Sequence, residues 1–203
     1  MMTGMARPRS FDEQAVVEAA KNCFRRRGYG ATALGDLEVA TGVSRSSLYL
    51  LFGSKRGLFE AALEEYEKSF IEPLLVPLEA QGAGLPEAAA YFTTLSALFQ
   101  GSSARRGCMI VNAIAELAGL DDGFAGFASR FMDRYRAAFS KALSFAAASG
   151  DIQRADVSRR AKLLTASAIG AWVVVRADPA TAAAYCRAVS SEIQSWARAG
   201  IPR

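Results

Sequence analysis

An all-α protein is what this sequence predicts, and three observations predict it. Apolar residues recur three and four apart in nearly every segment, no stretch alternates with period two, and glycine and proline fall mainly between the periodic segments. With 203 residues and 51% hydrophobic content, the chain has material for a sizeable core in one or two domains.

The first helix is expected to open at Ser10. Ser10-Phe11-Asp12-Glu13 has the form of a capping box, in which the serine oxygen accepts the Glu13 amide while the Glu13 carboxylate reaches back. Val16, Ala19, Cys23 and Phe24 continue its apolar face, and Gly28 ends it. A short helix over 33–40 leads into the tight turn Thr41-Gly42-Val43-Ser44, where Gly42 takes positive φ and Ser44 caps the next helix. That helix, 45–52, is broken by Gly53-Ser54, and Ser54 caps a longer one. Further helices are expected over 55–71, 85–100, 107–118, 121–148, 156–176 and 179–199. Pro73 and Pro77 should end or kink the first of these. Asp121 and Asp156 open later helices with the sign that the dipole favours.

Composition removes several classes of function. Without histidine there can be no Ser-His-Asp or Cys-His nucleophile and no His-ligated zinc or haem. Cys23, Cys108 and Cys186 are odd in number and lack paired spacing, so no disulfide framework is expected. The first ten residues lack an apolar run, and Leu163 to Val175 is too short to span a bilayer. A cytoplasmic chain with no membrane partner is expected. An enzyme on a helical bundle is the rival class. Its only central carboxylates would be Glu116, Asp121 and Asp122, with no Glu-x-x-His pattern, so no catalytic, metal or cofactor site is expected.

Residues 33–52 have the helix-turn-helix pattern, whose second helix enters the DNA major groove. Leu48 and Phe52 face the first helix, while Ser46 and Leu50 face away with Ser47 and Tyr49 on the flanks. Small hydroxyls permit close approach to DNA, the Tyr49 hydroxyl can reach a phosphate, and Leu50 can pack on a thymine methyl. Lys55 and Arg56 stand in a helix's first turn, where cations oppose the dipole unless a phosphate sits there. Charge agrees with this placement. The chain carries +4 overall; residues 1–56 hold nine Lys or Arg against five acids, and the remainder holds fifteen of each. The whole surplus lies in the segment with the motif, as phosphate binding requires.

Phe24-Arg25-Arg26-Arg27-Gly28-Tyr29-Gly30-Ala31-Thr32, Thr41-Gly42-Val43-Ser44, Ser47-Leu48-Tyr49 and Phe52-Gly53-Ser54-Lys55-Arg56-Gly57-Leu58-Phe59 closely resemble the TetR family of bacterial transcriptional regulators. The resemblance covers about the first 60 residues. It implies a three-helix DNA-binding domain at 1–56 and a larger helical effector-binding and dimerisation domain at 57–203. It also implies a homodimer, hence a pseudo-palindromic operator in double-stranded DNA. Carried onto this chain, its DNA contacts are Thr32, Ser44, Arg45, Ser46, Ser47, Tyr49 and Lys55. Two places depart from the family pattern: Glu38 stands where alanine is common, and Leu50 and Leu51 where polar or basic residues are common. A helical interaction module without DNA binding is the reading those leucines favour.

In the second half, Ala161, Leu164, Ala168, Trp172 and Val175 form one apolar stripe, and Ala182, Cys186, Val189, Ile193 and Trp196 another. The resemblance implies that the helices at 156–176 and 179–199 pair with their symmetry mates. The alternative is burial within the same subunit. An effector pocket is expected among Tyr66, Phe70, Tyr91, Phe92, Phe99, Cys108, Asn112, Phe127, Phe131 and Trp172, with Phe124 and Glu116 nearby. Aromatic rings at helical spacing also serve as plain core. Few charges lie on the inner stripes, so a small apolar or aromatic effector is expected to release a repressor from its operator. Arg106-Gly107-Cys108-Met109-Ile110-Val111-Asn112 resembles a central helix start in a TetR subgroup, some of whose members answer electrophiles or oxidants. Beside a helix N-terminus and two arginines Cys108 would be a candidate redox sensor.

Overall fold

Asp12, not Ser10, caps α1 (Glu13–Arg27): its carboxylate accepts from the amides of Gln14 and Ala15 at 3.1 and 3.4 Å. Ser10 and Phe11 lie outside the described residues, which are 12–197 of this computed structural model. Val16, Val17, Ala20, Cys23 and Phe24 are the buried stripe of α1. They pack on α4 (Lys55–Tyr66), where Leu58, Phe59, Ala62 and Leu63 are buried and the Phe59 ring meets Phe24 edge-on at 4.9 Å. Between these two helices in sequence lie α2 (Leu34–Thr41) and α3 (Arg45–Phe52). Leu37 and Leu48, each almost wholly buried, pin that pair to the core.

By its contacts the chain separates into two units, Met1–Tyr66 and Glu67–Arg203. This division lies ten residues beyond the one expected after residue 56. Packing is the reason, because the apolar face of α4 completes the core of the first unit and extends to Tyr66.

At the start of the second unit the backbone widens into a π turn, Glu67–Ile71, and then resumes as α5 (Glu72–Glu79). Neither proline ends this helix. Pro73 falls in the first turn of α5, where a missing N–H costs nothing. Pro77 lies inside it, yet Leu75 and Leu78 are fully buried and hold that turn against α8. Then follow α6 (Leu85–Leu98), α7 (Met109–Leu117), α8 (Asp122–Ala148), α9 (Val157–Ala177) and α10 (Pro179–Trp196). No strand occurs among the described residues, and the fold is all-α.

The core of the second unit lies among α6, α8, α9 and α10. Phe92 and Phe139 stack at 5.8 Å, and Tyr91 meets both Phe139 and Tyr135 edge-on. Polar pairs set the α6–α10 register: the Thr93 and Ser190 hydroxyls are 3.1 Å apart, and Arg187 donates to Ser96 Oγ at 3.2 Å. The two stripes read from the sequence bury inside this unit, Val189 only in part. The opposite faces stay open, with Leu163, Gly170 and Val173 on α9 and Tyr185 and Ala188 on α10. A groove of about 400 Å³ runs between them, lined by Ser167, Gly170, Val174, Tyr185 and Ala188 among others.

Candidate nucleic-acid interface and buried aromatic core

Gly42, with φ of 68°, makes the turn from α2 into α3, a left-handed conformation that side chains disfavour. Ser44 then caps α3. Its Oγ accepts from the Ser47 amide at 3.4 Å and lies 3.0 Å from the Ser46 hydroxyl. The helix buries Leu48 inward, leaving Arg45, Ser46, Tyr49 and Leu50 exposed outward and Ser47 half-buried. Leu50 is 87% exposed, so it contributes nothing to the core and presents its whole side chain at the surface.

Glu38 explains itself here. Its carboxylate accepts the Arg45 amide at 2.7 Å, occupying a donor at the start of α3 that has no partner within the helix. Glu38→Ala should therefore lower the stability of the first unit by about 1 kcal/mol. Urea denaturation followed by circular dichroism reads this, and an unchanged midpoint would contradict it.

The next break is equally specific. Ser54 Oγ accepts from the Gly57 amide at 3.0 Å to start α4, and a Cβ on Gly57 would collide with the Phe52 carbonyl oxygen. Lys55, the cation in the disfavoured first turn, sits 4.4 Å from the centroid of the Tyr29 ring. That cation–π contact offsets the dipole and fixes the ammonium at the base of α4. Of the Arg25–Arg27 run, Arg27 pairs with Asp36 at 2.6 Å, Arg25 lies over the Tyr66 ring, and Arg26 is exposed.

Thr32 differs from expectation. Its side chain is fully buried and its hydroxyl donates to the Gly28 carbonyl at 2.6 Å, which closes the chain around the end of α1. The hydroxyl is thus spent inside the protein and does not face outward. Arg7 and Arg9, two of the cations in the charge count, lie outside the described residues.

The family model described as bacterial regulatory proteins, tetR family, matches residues 16–62, which is α1 through most of α4. The chain is 34% identical over 113 residues to the transcriptional repressor ComR of Escherichia coli, covering 55% of this chain and 54% of ComR. Among solved structures, the TetR family regulator CifR in complex with 26-bp operator DNA superposes with a TM-score of 0.78 at 25% identity. That match covers 94% of this chain and all of CifR. Residues 16–62 thus carry the DNA-binding region of the tetR family. The regulator YezE of Bacillus subtilis extends the likeness over 85% of this chain and 90% of its own length, at 27% identity. The chain spans about half of ComR.

The expected effector residues do not all fall in the second unit. Tyr66 falls in the first unit, under the Arg25 guanidinium. Asn112 is a brace: its amide donates to the Arg106 carbonyl at 2.8 Å and its oxygen accepts from Arg176 at 3.3 Å. Phe127 is half-buried beside Phe124, with ring centroids 5.3 Å apart. The structure does bring together Phe70, Tyr91, Phe92, Phe99, Phe131 and Trp172. Trp172 meets Phe99 at 4.9 Å and Phe70 at 5.9 Å, and Phe131 reaches Tyr91 by way of Tyr135.

Sequence reasoning missed Tyr135. The Tyr91 and Tyr135 hydroxyls and the Trp172 indole N–H are all buried without a hydrogen-bond partner. Each such group costs about 1–3 kcal/mol of stability. Burial first, and then Tyr135 and Cys108, raise the Tyr91 phenol well above its ordinary range. Burial first, and then Cys108, raise Tyr135 likewise. Both are neutral at physiological pH.

Cys108 caps no amide of α7 with its side chain and is fully buried. The Arg105 guanidinium turns away to the Ala177 carbonyl at 2.6 Å. A redox sensor needs an accessible thiolate, and this position withholds access. Cys186 is buried as well, and burial pushes its thiol up to about 11 against a smaller opposing effect from Arg187. No group of three or more metal-ligating side chains occurs among the described residues, and no helix there is long and apolar enough to cross a membrane.

Proposed function

We propose that this chain is a transcriptional repressor that binds a pseudo-palindromic operator as a homodimer and leaves it when a small apolar or aromatic effector occupies the second unit. The observation that carries the reading is the outward face of α3. Arg45, Ser46, Tyr49 and Leu50 are presented together on a rigidly capped helix, in the segment that holds the chain's entire charge surplus. Ser46 and Ser47 admit the helix to the groove, Tyr49, Ser44 and Arg45 reach phosphates, and Leu50 meets a thymine methyl. CifR's complex with operator DNA supports the DNA partner, and the repressor ComR supports the direction of control. A cytoplasmic location goes with this role.

Dimerisation uses the open faces of α9 and α10, where Leu163, Val173 and Tyr185 are each about half exposed. Two copies related by a two-fold axis place two α3 helices for two half-sites. Effector binding in the second unit then acts on the first through the chain that joins them, α4 and the π turn Glu67–Ile71. Effector and operator must weaken each other's binding by the same factor.

Fluorescence anisotropy with duplexes from the chain's own upstream region and other genomic fragments, titrated at several salt concentrations, tests the reading. Binding should weaken steeply with salt, and Lys55→Ala should reduce the slope of log K against log salt by about one. Failure of the folded dimer to bind any fragment would contradict the DNA-binding role. An unchanged slope would remove Lys55 from the contacts.

A further inference from the structure

We propose that the groove between the end of α8 and the start of α9 binds a small amphipathic phosphate monoester, with Lys141 and Arg154 on its head and Phe145 under its apolar chain. The site lies within the second unit, and the repressor reading does not depend on it.

The groove encloses about 710 Å³, an ordinary size for a small-molecule cleft. α8 supplies Ser140, Lys141, Ser144 and Phe145, the short turn Arg154–Asp156 supplies Arg154, and the first turn of α9 supplies Ser158. No acidic side chain is among the described residues that line it. Asp156, the nearest in sequence, is held by Arg159 and Arg160 at 2.7 and 3.5 Å, and Asp151 lines a separate groove beside α6 and α10. Two cations without an acid therefore border one space. They do so in the part of the chain, residues 57–203, whose charges otherwise balance.

The polar side chains of this groove are also unspent. Arg134, Arg136, Arg159 and Arg160 of the same unit pair with carboxylates. Lys141 and Arg154 meet neither a carboxylate nor a hydrogen-bond acceptor among the described residues. Both are exposed, and their long stems let the charged heads turn onto a ligand. A hydroxyl inside a helix commonly bonds the carbonyl one turn back, as those of Thr93 and Thr165 do. The hydroxyls of Ser140, Ser144 and Ser158 make no such bond among the described residues. Ser140 and Ser144 stand one turn apart on α8, in a row beside Lys141 and Phe145, so donors and an apolar ring run in parallel along the groove.

Charge and donor number together select the head. A phosphate monoester carries a charge of about −1.5 to −2 at neutral pH and three acceptor oxygens, which two cations balance and the serine hydroxyls satisfy. A carboxylate, with one charge and two oxygens, would leave part of this set idle. The positive end of the α9 dipole adds the same sign. The half-buried Phe145 ring, with Ala147, Ala148 and Val157, gives the chain an apolar surface to lie on.

Calorimetry on the full chain at fixed ionic strength tests this with hexyl phosphate, against hexanol, inorganic phosphate and hexanoate. Hexyl phosphate should bind about tenfold or more tightly than each of the three. Lys141→Gln/Arg154→Gln should lose about tenfold or more of that affinity, and Lys141→Arg/Arg154→Lys should keep most of it. Ala148→Trp, which retains both cations and fills the groove, should lose it as well. Lys141, Ala148 and Arg154 are all exposed, so the melting temperatures of these variants should match the parent's. Inorganic phosphate bound as tightly as hexyl phosphate would show an adventitious ion only, and hexanol bound as tightly would show an apolar groove without an anion site. Either result would overturn the proposal. So would no binding of hexyl phosphate, or parental affinity in the glutamine double variant or in Ala148→Trp.

Discussion

Ser46→Glu is expected to cost about a hundredfold or more in operator affinity without lowering the stability of the protein. Ser46 is the second residue of α3, exposed, and among the described residues its hydroxyl meets only the neighbouring Ser44 hydroxyl. A glutamate in a helix's first turn is favoured by the dipole by about 0.3–1 kcal/mol, so the first unit should be as stable as before or more so. The same carboxylate would stand on the face proposed to meet DNA, against phosphates and base edges. Like charge held close at such an interface costs several kcal/mol. Operator anisotropy and thermal unfolding should thus move in opposite directions. If affinity stayed within twofold of the unsubstituted protein's, α3 would not be the element that enters the groove.

The second large effect is expected at Val173→Glu. Val173 is 54% exposed on α9 and Tyr185 56% exposed on α10, flanking the groove that contains Gly170. In a two-fold dimer each substitution is present twice, so two carboxylates would be buried without partners. The stripes that stabilise the subunit lie on the opposite faces, with Ala168, Trp172 and Val175 buried, so the fold should persist. Sedimentation should show a monomer at concentrations where the parent is a dimer. Operator binding should fall with it, because one α3 reaches only one half-site. A dimer of parental stability would assign these helix faces some other role.

How much of this was legible in the sequence follows from the range of the interactions. Gly42, Ser44, Ser54 and the apolar spacing act over one or two turns, so α2, α3 and the start of α4 could be placed from the chain alone. The cap of α1 moved by two residues, because Asp12 and Ser10 both have capping chemistry and only backbone geometry chooses between them. Thr32 and Glu38 could not be read correctly, since each is defined by a partner that folding brings near: the Gly28 carbonyl for one and the Arg45 amide for the other. The stripes on α9 and α10 were visible, but which face a subunit buries and which it leaves open depends on α6 and α8. Tyr135 lay hidden for the same reason. A tyrosine on an apolar stripe looks like core until its hydroxyl proves to have no partner.

The central claim is that this chain reads DNA as a two-fold pair of α3 helices. Selection of duplexes from a random-sequence pool by the purified full chain, followed by sequencing and anisotropy on the enriched sites, tests it most directly. The account predicts enrichment of two inverted half-sites whose centres are about one helical turn, or a multiple of it, apart, bound by a dimer with strong salt dependence. No enrichment by folded protein, or enrichment of sites without two-fold symmetry, would contradict it.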